Sequence, residues 1–169
     1  MKKLLNPFYG ITAMIVLVFA VACNSSGHTS ATPAPANPVS KAIDSGKWVF
    51  TANEVIPQYG PTRHADGIYS VTYTNNKLIV YLPYFGRAYG GANTFSNNGP
   101  LDFTSSDFVT NKEQTKAGRW NITIGPKDNR EVQSMNFTLY RNGNANLNVT
   151  MSSRSSISFS GSVEPLKNK

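Results

Sequence analysis

From Trp48 to Val163 apolar residues recur at every second position, in short runs cut by Asn, Gly and Pro. That spacing marks one face of a β-strand, and no segment between the runs carries the 3.6-residue period of a helix. Trp48, Phe50 and Ala52 alternate with Val49, Thr51 and Asn53, and Pro57, Gly60 and Pro61 then mark a loop. Tyr69, Val71 and Tyr73 share a face within residues 68–74. Asn75-Asn76 separates that run from residues 77–82 and predicts a tight hairpin, with asparagine tolerating positive φ. Pro83 has no amide donor, so the strand ends there. Leu101 and Phe103 make a short extended piece, while residues 105–118 are mostly polar and give no periodic signal. Trp120, Ile122 and Ile124 form a strand closed by a turn at 125–129, and Met135, Phe137 and Leu139 form the next. Asn142-Gly143 is the strongest hairpin signal in the chain and leads into Leu147, Val149 and Met151. Ile157, Phe159, Gly161 and Val163 make the last strand. The reading is all-β, an antiparallel sandwich or open barrel of about seven to eight strands with its polar face in water.

Upstream the pattern is different. Lys2 and Lys3 precede an apolar run at 11–22 that is too short for a membrane span, which needs about 20 residues. Residues 1–22 therefore read as a signal peptide. The run ends in Ala20-Val21-Ala22-Cys23 and resembles the lipobox of bacterial lipoproteins, in which the cysteine receives a diacylglycerol and becomes the new N-terminus. Ala20 departs from the leucine usual there. An ordinary Ala-x-Ala cleavage site would instead leave Cys23 as a free thiol, which a secreted domain rarely keeps. Residues 24–38 are Ser, Thr, Ala, Pro and Asn with His28, too polar to bury a core, so 23–44 reads as a flexible tether carrying lipidated Cys23. Within it 39–45 allows one or two helical turns ended by Gly46. The β domain is expected over 45–165. Cys23 is the only cysteine, so that domain has no disulfide and stands on its core.

The formal charge is +7, and loss of Lys2 and Lys3 leaves 14 basic against 9 acidic residues, or +5. No basic run of five exists, which excludes a polybasic tail, and an exported chain is not expected to meet nucleic acid.

One stretch concentrates chemistry: Tyr81-Leu82-Pro83-Tyr84-Phe85-Gly86-Arg87-Ala88-Tyr89-Gly90-Gly91, with four aromatics and a single charge. An exposed flexible loop has little reason to hold such rings together, so a folded loop packing its own rings is expected. Arg87 either ties loop carbonyls and a carboxylate together or, with Tyr84 and Tyr89, clamps a carboxylate or phosphate in an aromatic pocket. Arg154 carries the same two readings. Gly86, Gly90 and Gly91 are not a phosphate loop, since no Lys-Ser/Thr and no helix follow, and they read as positive-φ positions. His64 and Asp66 share one face if extended, but His64 is the only histidine of the domain and a metal site needs three or four ligands. Asp102 and Asp107 offer a carboxylate pair for glycoside chemistry, but their spacing in sequence does not give the separation that chemistry requires. No cofactor motif and no Gly-x-Ser-x-Gly elbow is present. The sequons at Asn121, Asn136 and Asn148 fall within strand patterns and read as outward polar positions.

Taken together, residues 81–89, Gly99-Pro100-Leu101 with Phe103 and Ser105, Gly143, Ala145 and Leu147, and Arg154 with Ile157, Phe159 and Gly161 resemble the domain of unknown function 4251 family, exported lipoproteins of Bacteroidetes-type bacteria. The resemblance spans roughly 46–163, and Ser155 and Phe159 stand where Gln and Tyr are common. It implies export, lipid anchoring, a mostly β domain and no established activity. Neutral residues after Cys23 favour an outer-membrane anchor facing the periplasm over the cell surface. The expected function is a non-enzymatic envelope module binding a partner protein or small ligand, with Tyr84, Arg87 and Tyr89 as its site. The alternatives are a hydrolase of envelope polymers using His64 with Asp or Glu, and a purely structural envelope protein.

Overall fold

Trp48–Pro57 (β1) is the strand on which the sheet is built, because its inward residues Trp48, Phe50, Ala52 and Val55 are all fully buried. The computed structural model describes residues 37–89 and 99–167, which belong to one compact unit. The segments expected to be a signal peptide and most of the expected tether, with Cys23, Gly90 and Gly91, lie outside the described residues.

Nine further strands follow: Arg63–His64 (β2), Ser70–Thr74 (β3), Lys77–Tyr81 (β4), Asp102–Ser105 (β5), Phe108–Lys116 (β6), Arg119–Pro126 (β7), Val132–Tyr140 (β8), Asn144–Met151 (β9) and Ile157–Pro165 (β10). They form one antiparallel sheet in the order β5-β4-β3-β1-β10-β9-β8-β7-β6, with β2 added on β1. It is a curled half-barrel and not a two-sheet sandwich. Phe137 on β8 meets the rings of Trp48 at 5.0 Å and Phe50 at 5.8 Å, although two strands separate β8 from β1. Tyr73 on β3 likewise reaches Phe108 and Thr110 on the far edge strand β6, its hydroxyl donating to Thr110 Oγ1 at 3.3 Å. Only strong curl brings such distant strands together. Burying Phe137 alone contributes about 1.5–3 kcal/mol, and residues from every strand except β2 complete the same core or pack against it, β6 through Phe108 alone.

The expected hairpins form. Gly143 adopts φ +90° in the β8–β9 loop and its amide donates to Tyr140 O. Asn75-Asn76 joins β3 to β4 with Thr74 opposite Lys77, but among the described residues no non-glycine has positive φ. That turn is held instead by Thr74 Oγ1, which donates to Lys77 O and contacts Asn76 Oδ1. The sequon asparagines face outward as polar cross-strand pairs: Asn136 accepts from Thr123, Asn121 accepts from Thr138, and Asn148 donates to Ser158.

Two expectations are corrected. The strand count is ten, because β6 is an edge strand exposed along nearly its whole length and so lacks apolar alternation, while β2 has only two residues. The folded part also starts before 45. Pro38–Ser45 forms a helix (α1), capped by Asn37 Oδ1 accepting from Val39 and Ser40 amides and ended by Gly46 at φ +68°. Its Ala42 and Ile43 are buried in the core, and Lys112 Nζ on β6 donates to the helix C-terminal carbonyls of Ile43 and Asp44. The helix thus packs against the central strands β1 and β10 and is tied to the edge strand β6 by Lys112.

Candidate functional site

Leu82 is buried with its amide donating to Leu101 O, which continues the β4–β5 pairing one step beyond the strands. The segment 83–89 then lies along the β9–β10 connection. Ala88 bridges Arg154, the Tyr89 amide donates to Ser153 O at 2.8 Å, and the Ser155 amide donates to Arg87 O at 2.9 Å. Ser155, 2 % exposed, is the pin of this junction. Its Oγ accepts from the Arg87 amide at 3.0 Å and lies 3.1 Å from Tyr84 Oη, while Tyr84 Oη also donates to Ser155 O at 2.9 Å. Nothing in the sequence marked Ser155 for this role beyond its departure from the family pattern.

Gly86 is explained by the same junction. A Cβ there would overlap Tyr84 Oη and Ser155 Oγ, and Gly86 does not adopt positive φ. Space, and not backbone conformation, demands glycine here, which corrects the expected reason. Gly90 and Gly91 lie outside the described residues.

The expectation that this loop packs its own rings is also corrected. Only Tyr84 is part-buried; Phe85 is 38 % and Tyr89 50 % exposed. The rings are matched across to a second loop, between β1 and β2. Arg87 lies over the Tyr59 ring with its guanidinium carbon 4.8 Å from the centroid, and Arg63 lies over Phe85 at 4.4 Å. Segment 83–89 contributes Phe85 and Arg87, while Tyr59 comes from the β1–β2 loop and Arg63 from the start of β2, and the two cross-pairs form a clasp. Beside it Arg154 lies 5.6 Å from the Tyr84 ring centroid and pairs with Glu131 at 3.3 Å. Arg87 is exposed and makes no ion pair among the described residues, so the carboxylate tie considered for it does not form. Tyr59 and Arg63 escaped sequence reading because they sit in and just after an ordinary Gly-Pro loop, more than twenty positions upstream.

The other candidates lie elsewhere. His64 on β2 is opposite Glu54 on β1, and both line a shallow polar concavity of about 450 Å³ with Ser160 and Asn146. Ser160 Oγ donates directly to Glu54 Oε2 at 2.9 Å, and His64 hydrogen-bonds to neither. Asp66, Asp102 and Asp107 are exposed. Asp128 is the structural carboxylate: its Oδ1 accepts from Ser105 Oγ at 2.5 Å and its Oδ2 from the Ser106 and Asp107 amides. These bonds, that of Ser105 foremost, hold its pKa below the ordinary carboxylate value. Among the described residues no three His, Cys, Asp or Glu side chains group so as to hold a metal ion.

A curled antiparallel half-barrel with a short N-terminal helix and a two-loop aromatic and arginine clasp is the class that the fold and site define. The profile of the DUF4251 family, a domain of unknown function, matches residues 34–163. The chain belongs to that family. Its fold is similar to that of a DUF4251 family protein from Bacteroides eggerthii known from a crystal structure, with TM-score 0.51 and 20% identity over 76% of this chain and 85% of that one. Among curated proteins none matches the chain.

Proposed function

We propose that the chain is a cell-envelope lipoprotein, anchored through lipidated Cys23 to the outer membrane and facing the periplasm, whose β domain is a non-enzymatic binding module. The observation that carries the binding role is the clasp, where Tyr59, Phe85 and Tyr89 stay 38 to 50 % exposed although the fold has a closed core to bury rings in. Exposed aromatics and arginines gathered on one rigid junction are the composition of recognition surfaces. Tyr84 serves as the strut of that surface, with Arg87 and Tyr89 at its face. The partner is an envelope protein or a small ligand.

A photo-crosslinking residue at Tyr89, activated in cells and followed by mass spectrometry, should recover one specific partner or ligand. Recovery of the same background as from an exposed control position such as Lys127 refutes the surface. The anchoring is tested separately, since Cys23→Ser should move the mature chain from the membrane to the soluble fraction. Persistent membrane association would overturn the lipid anchor. A hydrolytic reading has one observation in its favour, the shared concavity of Glu54 and His64. It predicts release of soluble fragments from purified envelope polymers by the wild-type chain and not by Glu54→Gln.

A further inference from the structure

Arg63 and Arg87 are exposed charges with no ion-pair partner among the described residues, each set over a ring of the opposite segment. All nine acidic side chains of the sequence lie among the described residues. Asp44 pairs with Lys112 and Glu131 with Arg154. Glu54 accepts from Ser160, and Asp128 is filled by Ser105 and two amides. No carboxylate reaches Arg63 or Arg87, and among the described residues none of their guanidinium N–H donors is used.

A guanidinium laid over a ring is oriented by it, while its in-plane edge remains the part that recognises oxyanions bidentately. The ring also lowers the conformational freedom that an exposed arginine would otherwise lose on binding. Resting on the reading of the two loops as a recognition surface, we infer that the clasp is a site for an oxyanion-bearing ligand. Its carboxylate or phosphate groups are taken by the edges of Arg63 and Arg87, and Tyr59 and Phe85 are the walls that hold those edges in place. Glu131 neutralises Arg154, which leaves Arg63 and Arg87 as the charges that read the ligand. The Ser155 pin keeps the Arg87 backbone at fixed height, so the site is preorganised and not assembled on binding.

The test uses the chain from Asn24 onward, which contains the entire core, titrated at constant ionic strength with pyrophosphate and, separately, with citrate. The arginine Nε–Hε signals are followed by NMR. Saturable shifts at Arg63 and Arg87, with Arg130 and Arg141 unmoved, are expected. The probe that saturates at the lower concentration tells whether the natural group is phosphate or carboxylate. Arg87→Lys retains the charge and removes the planar fork, so binding should weaken about tenfold, the order of one bidentate contact, with the amide spectrum elsewhere unchanged. The inference is overturned if neither probe shifts the two arginines saturably. Parallel movement of Arg130 and Arg141 overturns it too, because diffuse attraction then suffices. So does an Arg87→Lys chain that binds as the wild type does. If Tyr89 crosslinks to a partner while no oxyanion binds, this inference fails and the recognition surface stands.

Discussion

Replacing Ser155 by Ala tests whether the central loop is held by one buried hydroxyl. The substitution removes the acceptor of the Arg87 amide at 3.0 Å and the partner of Tyr84 Oη at 3.1 Å, and leaves Tyr84 Oη the carbonyls of Ser155 and Arg87. Two net hydrogen bonds of about 1 kcal/mol each, in a site where the Arg87 donor loses its partner, place the cost at about 2 kcal/mol. For a domain of this size each kcal/mol moves Tm by roughly 3–5 °C, so a fall of roughly 6–10 °C is expected by circular dichroism. Hydrogen exchange adds a local readout. The Tyr89 amide, bonded to Ser153 O across the same junction, should exchange faster than in the wild type even when the sheet amides do not change. Tyr84→Phe removes the Oη bonds and retains the Arg87 to Ser155 Oγ bond, so its cost should be smaller. The double variant should cost less than the sum, since both singles break the same contact. A Ser155→Ala chain that melts within a degree of the wild type, with Tyr89 exchange unaltered, would refute the pin.

Gly86→Ala places a Cβ against Tyr84 Oη and Ser155 Oγ, and should loosen the same junction by about 1–3 kcal/mol through overpacking; an unchanged melt would show that the loop yields freely. Asp128 gives a pH prediction. Its folded pKa lies below the ordinary 3.8, so its contribution to stability is complete above that value and is lost as pH falls through the lower, folded pKa. Asp128→Asn should therefore be less stable than the wild type at neutral pH, with the difference shrinking as acid is added below about pH 4. Equal acid-unfolding curves for the two chains would contradict the assignment.

The alternation of Trp48, Phe50 and Ala52, and its counterparts through Val163, were enough to read an antiparallel β domain, because a half-buried strand must place apolar residues at every second position. The Asn142-Gly143 turn was legible for a similarly local reason, since a glycine at positive φ suits that loop. Residues 108–116 were not legible as a strand, since an edge strand exposed to solvent leaves no apolar pattern. Asn75-Asn76 was placed rightly and explained wrongly, because a threonine side chain and not backbone handedness secures the turn. Arg87, Tyr84 and Tyr89 stood out by their rarity in a glycine-rich loop. Their partners did not, because Tyr59, Arg63 and Ser155 are ordinary residues until the curl of one sheet carries three separate connections to the same place. A sequence states what each residue prefers beside its neighbours; which loop meets which is set by the register and curl of the whole sheet, and that is why the strands could be read in advance and the clasp could not.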